Sequence, residues 1–308
     1  MDSRTIKNVY FLGLGALGTM YASKLHALDD SLVKVVVDEE RKRRYEQKAI
    51  LVNEQPYRFQ YLTPSSEAPV ADLVIIAVKE YQLADALPLL KPFVGQHTCF
   101  LSLLNGISSE KTIGEAYGIE RVLYAFGIAM DAQRTGRDVS YTDMGHMVFG
   151  EADNAVSPRV KAIKALFEAA AIPYQVPPDI HQAMWFKFMV NVAVNQVSAL
   201  LRIPFGVFAK YQEARALLIQ AAQEVQEVAQ RKGIDLTETA IGKMVDTILS
   251  LNPDGKTSML QDVEAQRPTE LETFAGEVIR QGEALTVATP INRFLYNALA
   301  LVEKGYSG

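Results

Sequence analysis

A chain of 308 residues can bury a large core and is long enough for two domains of ordinary size. With 49% hydrophobic and 22% charged residues, its composition is that of a folded protein rather than a disordered or fibrous one. The net charge of −5 provides no overall basic field for nucleic acid or anionic lipid, and the single cysteine, Cys99, excludes an intramolecular disulfide.

The first residues, MDSRTIKN, lack the apolar segment of a secretory signal. No apolar run in the sequence approaches the roughly 18–20 residues that a membrane span requires. We therefore expect a cytoplasmic protein with neither nucleic acid nor membrane among its partners.

Residues 1–178 alternate short apolar runs with longer helical patterns. The predicted strands are VYFLGLG, VKVVVD, DLVIIAV, TCFLSLL and RVLYAFGIAM, and helices are predicted to begin near Ala16, after VKVVVD, near Tyr81 and at Ser108. This alternation is typical of βαβ units, in which helices cover both faces of a parallel sheet. The sequence therefore predicts an α/β N-terminal domain with a doubly wound, mostly parallel sheet. YTDMGHMVFGEAD is predicted as a late hairpin or edge strand, and SPRVKAIKALFEAA as the last helix of this domain.

The pattern changes at IPYQVPPDI, where three prolines within six residues predict a linker. Beyond Asp179 no segment is typical of a strand. Helices are expected over about 180–201, 211–232, 237–250, 257–286 and 290–304. Residues 179–308 are therefore predicted to form an all-α C-terminal domain.

Three glycines follow the first predicted strand with the G-x-G-x-x-G spacing of Rossmann-like dinucleotide-binding domains. In such a loop Gly13 permits the tight turn, Gly15 the approach of a pyrophosphate and Gly18 the close packing of helix on strand. The alternative is a tight turn without a ligand. The strand, loop and helix context favours a cofactor, and the loop residues expected to contact it are Gly13, Leu14, Gly15, Ala16, Leu17 and Gly18.

Asp38 ends the second predicted strand, twenty residues after Gly18. A carboxylate at this position can accept hydrogen bonds from the adenosine ribose. An acid here disfavours the extra phosphate of NADP, yet Arg41, Arg43 and Arg44 follow within two helical turns and could bind that phosphate. NAD and NADP therefore both stay open, and Asp38 could instead serve only as the N-cap of the next helix.

The predicted helix HQAMWFKFMVNVAVNQVSALL carries an unusual polar strip. Lys187 is its only charged residue from Gln182 onward, and Asn191 and Asn195 follow at intervals of four, so the three side chains share one ridge. Because unpaired polar groups in a core cost several kcal/mol, we expect the strip to face a cleft, where a lysine can donate a proton. The alternative is that Lys187 extends to water while the asparagines bond neighbouring helices.

Five segments together resemble those of the ketopantoate reductases, or 2-dehydropantoate 2-reductases, over nearly the whole chain. GLGALG is similar to the family's GxGAxG opening, AVKEYQ to its K-x-x-Q element and LLNGIS to its QNG motif. WFKFMVNVAVNQVSAL resembles its K-x-x-x-N-x-x-x-N helix, and TSMLQDVEAQRPTELETFAGEVIRQG its S-S-M-x-Q-D and T-E-I-D-x-x-N-G segment. The last two segments are long and specific, so they carry most of the weight.

This resemblance implies NAD(P)H-dependent reduction of 2-dehydropantoate to (R)-pantoate, a step of pantothenate and coenzyme A biosynthesis. It implies hydride transfer to the C2 carbonyl with Lys187 as general acid, and Glu270 holding that lysine and the cofactor ribose. The implied substrate-binding residues are Asn105, Asn191, Asn195 and Ser258. The implied cofactor-binding residues are those of the glycine loop together with Asp38, Lys79, Gln82, Asn105 and Glu270.

Three departures from the family pattern keep cofactor and substrate open. Asp38 stands where members that use NADPH commonly have arginine, LLNG replaces QNG, and Ala275-Gly276 replaces the usual Asn-Gly. The first departure resembles a branch of NAD-dependent D-2-hydroxyacid dehydrogenases that act on branched or aromatic 2-oxo acids, which is the alternative function. A dinucleotide-binding protein without catalysis is the third.

The family therefore favours NADP while Asp38 favours NAD. The expected partner is a small 2-oxo acid, no metal ion is expected because the four histidines form no ligand-spaced cluster, and assembly into a homodimer stays open.

Overall fold

In the computed structural model, which describes residues 5–305, the apolar runs of the first half of the chain are strands and the patterns between them are helices. The strands are β1 (Val9–Leu12), β2 (Val33–Val36), β3 (Ile50–Val52), β4 (Gln55–Tyr57), β5 (Gln60–Leu62), β6 (Ala71–Ile76), β7 (Val94–Ser102), β8 (Val122–Ile128), β9 (Gln133–Thr135), β10 (Asp138–Ser140), β11 (His146–Gly150) and β12 (Tyr174–Gln175). The helices are α1 (Ala16–Leu28), α2 (Glu39–Gln47), α3 (Glu80–Ala86), α4 (Ser109–Tyr117) and α5 (Pro158–Ala169).

Eight of the strands form one sheet in the order β12-β11-β8-β7-β6-β1-β2-β5. The six strands from β8 to β5 are parallel, whereas β11 is antiparallel to β8. Counted along the chain, these six have the order 3-2-1-4-5-6 of the Rossmann fold. All four residues of β1 are buried, as expected for a central strand covered on both faces. The predicted doubly wound, mostly parallel sheet is therefore confirmed.

Two features of this half of the chain differ from the prediction. A second sheet, in the order β4-β3-β10-β9, is made of three-residue strands too short to show a period of two. The segment IPYQVPPDI, predicted as a linker, contains β12, which pairs with β11 at the edge of the large sheet. An edge strand of two residues tolerates the neighbouring prolines because it pairs on one side only.

The rest of the described chain forms helices: α6 (Ile180–Leu201), α7 (Phe205–Lys210), α8 (Gln212–Arg231), α9 (Thr239–Leu249), α10 (Ser258–Glu264), α11 (Glu277–Leu285) and α12 (Pro290–Lys304). They share an apolar core, and α12 is anchored by the buried Glu224 carboxylate, which accepts the N–H groups of Ile291 at 2.7 Å and Asn292 at 2.9 Å. The predicted all-α second half is therefore confirmed. Within residues 5–305, no helix combines the length and apolar character needed to cross a membrane.

The single helix predicted over 257–286 is wrong. The chain leaves α10 at Glu264 and enters a five-residue π-helical turn, Glu272–Gly276, before α11. The cause lies between them, since Pro268 has no N–H to donate and disfavours a helical conformation at Arg267.

By their packing the residues fall into two units. The first comprises residues up to Asn105 together with Ser109–Ile180, and the second comprises Gly106–Ser108 together with residues from His181 onward. That 1–178 and 179–308 are separate domains stays a prediction.

Candidate active site

The glycine loop between β1 and α1 runs against the chain that leaves β6. Gly13 has φ +101°, and a Cβ there would lie 2.7 Å from the backbone of Ala77. A Cβ on Gly18 would lie 2.3 Å from the carbonyl oxygen of Gly13. The polypeptide itself therefore requires glycine at positions 13 and 18, with or without a ligand.

Gly15, the N-cap of α1, is different. It is exposed, and a Cβ there would lie 3.6 Å from the carbonyl oxygen of Ala77, which is an ordinary contact. Packing among the described residues therefore does not explain this glycine. A bare backbone at a helix N-terminus is suited to a pyrophosphate, so the residues present fit a dinucleotide.

Of the other three loop residues, Leu14 precedes the N-cap, whereas Ala16 and Leu17 begin α1. Leu14 is buried in the core, while Ala16 and Leu17 are half-buried. Their contribution to a bound cofactor would therefore come from the backbone.

We expect Gly15→Ala to weaken dinucleotide binding by about tenfold or more without lowering the midpoint of thermal unfolding. The added methyl group has room in the protein but would occupy the surface on which the pyrophosphate lies. Fluorescence titration with NADH and NADPH, beside a thermal melt, measures both quantities. Gly242→Ala on α9, where a Cβ would meet open space, is the control. Unchanged affinity in Gly15→Ala would contradict a pyrophosphate site at this loop.

Asp38 follows β2 at the same carboxyl edge of the sheet as the glycine loop. One carboxylate oxygen accepts the N–H of Arg41 at 2.7 Å, and the other accepts the Arg41 guanidinium at 2.8 Å. Asp38 is therefore the N-cap of α2 and also forms an ion pair, and its contact with the adenosine ribose stays a prediction. Both side chains stay accessible, at 40% and 49% exposed, so a ligand can reach either.

Lys79 and Asn105 follow β6 and β7 at this edge as well. The Lys79 side chain is exposed and Asn105 is half-buried. The side-chain oxygen of Gln82 accepts the backbone N–H of Lys79 at 3.4 Å, and the backbone N–H of Gln82 donates to the Lys79 carbonyl at 2.9 Å. Gln82 therefore fixes the turn into α3. The topology thus brings the predicted cofactor-binding segments of the first unit to one edge of the sheet, whereas Glu270, also predicted to bind the cofactor, belongs to the second unit.

The polar strip of α6 contains a connected set of side chains in the second unit. The amide oxygen of Asn195, which is 6% exposed, accepts the Ser258 hydroxyl at 3.2 Å and the Met259 N–H at 3.4 Å. Its amide nitrogen donates to Asn191 at 3.4 Å. Lys187 lies one helical turn before Asn191 and is half-buried. The structure therefore places Asn191, Asn195 and Ser258 together.

The first turn of α10 is capped by Thr257 rather than by Ser258. The Thr257 hydroxyl accepts the N–H of Leu260 at 3.1 Å. This arrangement turns the Ser258 hydroxyl towards Asn195 instead of towards the backbone of its own helix. Ser258 is therefore not the N-cap of α10.

Glu270 is half-buried and lies two residues before the π-helical turn, and its carbonyl accepts the N–H of Phe274 at 3.1 Å. The Gly276 N–H reaches the carbonyl of Leu271 at 3.1 Å, five residues back. Isolated π turns often occur at functional sites because they redirect nearby side chains. Glu303 accepts the backbone N–H of Thr269 at 2.8 Å, so this segment is held by α12.

Two supporting residues, Thr257 and Glu303, are absent from the sequence-based prediction of the site. The position of Thr257 before the helix is a recognisable cap signal, but the role of Glu303 depends on a tertiary contact. Cys99 is buried, and burial raises its pKa to about 11, which makes it an inert core thiol. Among residues 5–305, no three His, Cys, Asp or Glu side chains are arranged to hold a metal ion.

A Rossmann sheet with an open glycine loop in the first unit, and a Lys-Asn-Asn ridge on a helix of the second, are features of dinucleotide-dependent oxidoreductases. The sequence model described as "Ketopantoate reductase PanE/ApbA" matches residues 9–154, and its "C terminal" counterpart matches residues 179–303. The chain belongs to the ketopantoate reductase family, whose members are NAD(P)-dependent oxidoreductases with small keto acids as substrates.

Individual relatives match this chain over almost its full length. The 2-dehydropantoate 2-reductase of Vibrio cholerae is 30% identical over 312 residues, which cover 97% of this chain and 99% of the relative. The crystal structure of 2-dehydropantoate 2-reductase from Methylococcus capsulatus has a TM-score of 0.84 at 27% identity and covers 98% of each chain. D-mandelate dehydrogenase with NADH and anilino(oxo)acetate has the same fold, with a TM-score of 0.87 at 21% identity over 98% of this chain and 100% of its own.

Proposed function

We propose that this protein reduces 2-dehydropantoate to (R)-pantoate. The observation that carries the proposal is the ridge of α6. Asn191 lies one turn after Lys187 and is hydrogen-bonded to Asn195, which in turn is hydrogen-bonded to Ser258. An apolar helix with one lysine and two asparagines on one ridge provides hydrogen-bond donors and a proton source for a small oxo acid. The names of the relatives in Vibrio and Methylococcus support the same substrate.

A nicotinamide dinucleotide, when bound, supplies the hydride. Gly15 and the N-terminus of α1 would hold its pyrophosphate, Asp38 its adenosine ribose, and Lys79 and Asn105 would lie beside the nicotinamide half. Gln82 contributes by holding the turn of Lys79.

Lys187 acts as general acid: its ammonium gives a proton to the C2 oxygen and stabilises the negative charge that develops there. Asn191, Asn195 and Ser258 bind the carboxylate and hydroxyl of the substrate, and Glu270 holds the lysine. Because the Asn195 oxygen is already fixed by two donors from α10, little reorganisation is required when the substrate binds.

NADH is the proposed donor. The Asp38 carboxylate lies just after β2, at the N-cap of α2, and already pairs with Arg41 at 2.8 Å. The 2′-phosphate of NADPH would meet this negative charge, and Arg41 would have to give up its partner to bind it.

The carboxylate at position 38 also favours a second candidate, a D-2-hydroxyacid dehydrogenase for branched or aromatic 2-oxo acids. The fold match to D-mandelate dehydrogenase is compatible with it but carries no substrate assignment, and the named 2-dehydropantoate 2-reductases favour the first candidate.

Steady-state kinetics with 2-dehydropantoate, a branched 2-oxo acid and phenylglyoxylate, each with NADH and NADPH, tests the proposal. We expect the highest kcat/KM for 2-dehydropantoate with NADH. A kcat/KM for 2-dehydropantoate orders of magnitude below that of another 2-oxo acid would reject the first candidate in favour of the second.

A further inference from the structure

A buried carboxyl group lies behind the sheet edge that would hold the dinucleotide. Glu110, in the first turn of α4, is only 2% exposed, although it is an acid next to an exposed helix face. The described site does not use it. A buried acid without a structural ion pair needs an explanation, because its ionised form loses hydration.

One set of contacts connects Glu110 to the loop that carries Asn105. Glu110 accepts the Ser109 hydroxyl at 3.2 Å, and the Ser109 and Ser102 hydroxyls lie 2.7 Å apart. Ser102 in turn accepts the N–H of Leu104, the residue before Asn105, at 3.3 Å. This chain of hydrogen bonds fixes the path of the backbone into Asn105.

A second set connects Glu110 to neighbouring elements. The Glu80 carboxylate, at the first position of α3 and directly after Lys79, interacts with it as a like charge. Two residues of β8 also interact with Glu110. The Ala125 N–H donates a hydrogen bond to it, and the Glu110 charge helps to raise the pKa of the Tyr124 hydroxyl. Glu110 therefore lies between the turn of Lys79 and the loop of Asn105.

The charge on Glu110 changes within the physiological range of pH. Burial is the main cause that raises its pKa to about 7, and Glu80 adds to the shift, while the N–H and hydroxyl donors oppose it. Below pH 7 the group is neutral and its O–H can donate a hydrogen bond. Above pH 7 it adds a negative charge beside Glu80, at the edge where an anionic pyrophosphate would bind.

We propose that Glu110 is a positioning residue of the dinucleotide site, which in its neutral form holds the Lys79 and Asn105 loops in the arrangement that binds the cofactor. The inference rests on the dinucleotide part of the proposed function and does not depend on the substrate. Ionised Glu110 repels Glu80 and the pyrophosphate together, so both effects weaken binding in the same direction.

The test is the Kd for NADH measured by fluorescence titration from pH 5.5 to 8.5. In the wild-type protein we expect affinity to fall about fivefold as pH rises through 7. Glu110→Gln, which mimics the neutral acid, is expected to keep the tight affinity across the range. Glu115→Gln is the matched control, because Glu115 lies on the same helix and is 68% exposed; its profile should match that of the wild type.

A second variant and a spectroscopic signal keep the test decisive if Glu110→Gln does not fold. Glu80→Gln removes the like charge and should move the transition to lower pH. The infrared carbonyl band of a protonated carboxylic acid should disappear from the wild-type protein as pH rises through 7. Parallel affinity profiles for wild type and Glu110→Gln, or an unmoved transition in Glu80→Gln, would overturn the proposal. Loss of 2-dehydropantoate turnover with this pH dependence retained would instead count against the proposed substrate alone.

Discussion

Replacing Lys187 with alanine should lower kcat for 2-oxo acid reduction by about 10²–10⁴-fold, while the Kd for the dinucleotide stays within about twofold. The lost proton and positive charge act on the C2 oxygen chiefly in the transition state, so kcat and kcat/KM should fall together. The glycine loop, Asp38, Lys79 and Asn105 all belong to the first unit, whereas Lys187 belongs to the second. Stopped-flow and steady-state kinetics, beside fluorescence titration, separate the two quantities.

Two further variants define what the lysine does. Lys187→Arg keeps the positive charge but cannot release its proton at working pH, so partial activity there would measure the electrostatic share. Lys243→Ala, at an exposed position of α9, controls for the loss of a lysine from the helical unit. Full activity in Lys187→Ala would eliminate Lys187 as the acid. Normal dinucleotide binding by a wild-type protein that reduces no 2-oxo acid would favour the third interpretation, binding without catalysis.

Much of the first unit could be predicted from the sequence, because each buried parallel strand is a short continuous apolar run. Once the strands are known to be parallel, the residues that follow them must share one edge, which is why Asp38, Lys79 and Asn105 come together. The second sheet could not be predicted, since its strands have three residues each and no measurable period. The break at Pro268 has a signal in the sequence, because proline interrupts a helix, although the helical pattern continues on either side.

In the second unit, prediction of the site from the sequence is limited by contacts between residues far apart in the chain. The ridge of Lys187, Asn191 and Asn195 follows from helical periodicity alone. The bond between Asn195 and Ser258 joins residues 63 positions apart, and only the family resemblance pointed to it. The burial of Glu110 had no signal in the sequence, because an acid in the first turn of a helix is ordinarily exposed and stabilises the helix dipole.

Cofactor choice should respond strongly to position 38. We expect Asp38→Ser to shift the ratio of the dissociation constants for NADPH and NADH towards NADPH by about 10–100-fold. Serine is a good N-cap, so the start of α2 is kept while the negative charge is removed and the Arg41 guanidinium loses its partner. Titration with both dinucleotides at fixed ionic strength gives the ratio directly. Glu40→Gln, in the first turn of the same exposed helix, removes an equal charge without touching the Asp38–Arg41 pair.

The double variant Asp38→Ser, Arg41→Ala separates two physical causes of the shift. If removal of repulsion is sufficient, the double variant keeps the gain in NADPH affinity. If the released guanidinium binds the 2′-phosphate, the gain is lost when Arg41 is removed, and the two substitutions are non-additive because they act on one ion pair. An unchanged ratio in Asp38→Ser would mean that the carboxylate does not face the ribose, and it would leave Asp38 with the role of an N-cap alone. The pairing distance of 2.8 Å favours the second cause, since the guanidinium in the first turn of α2 needs only to exchange the carboxylate for the phosphate.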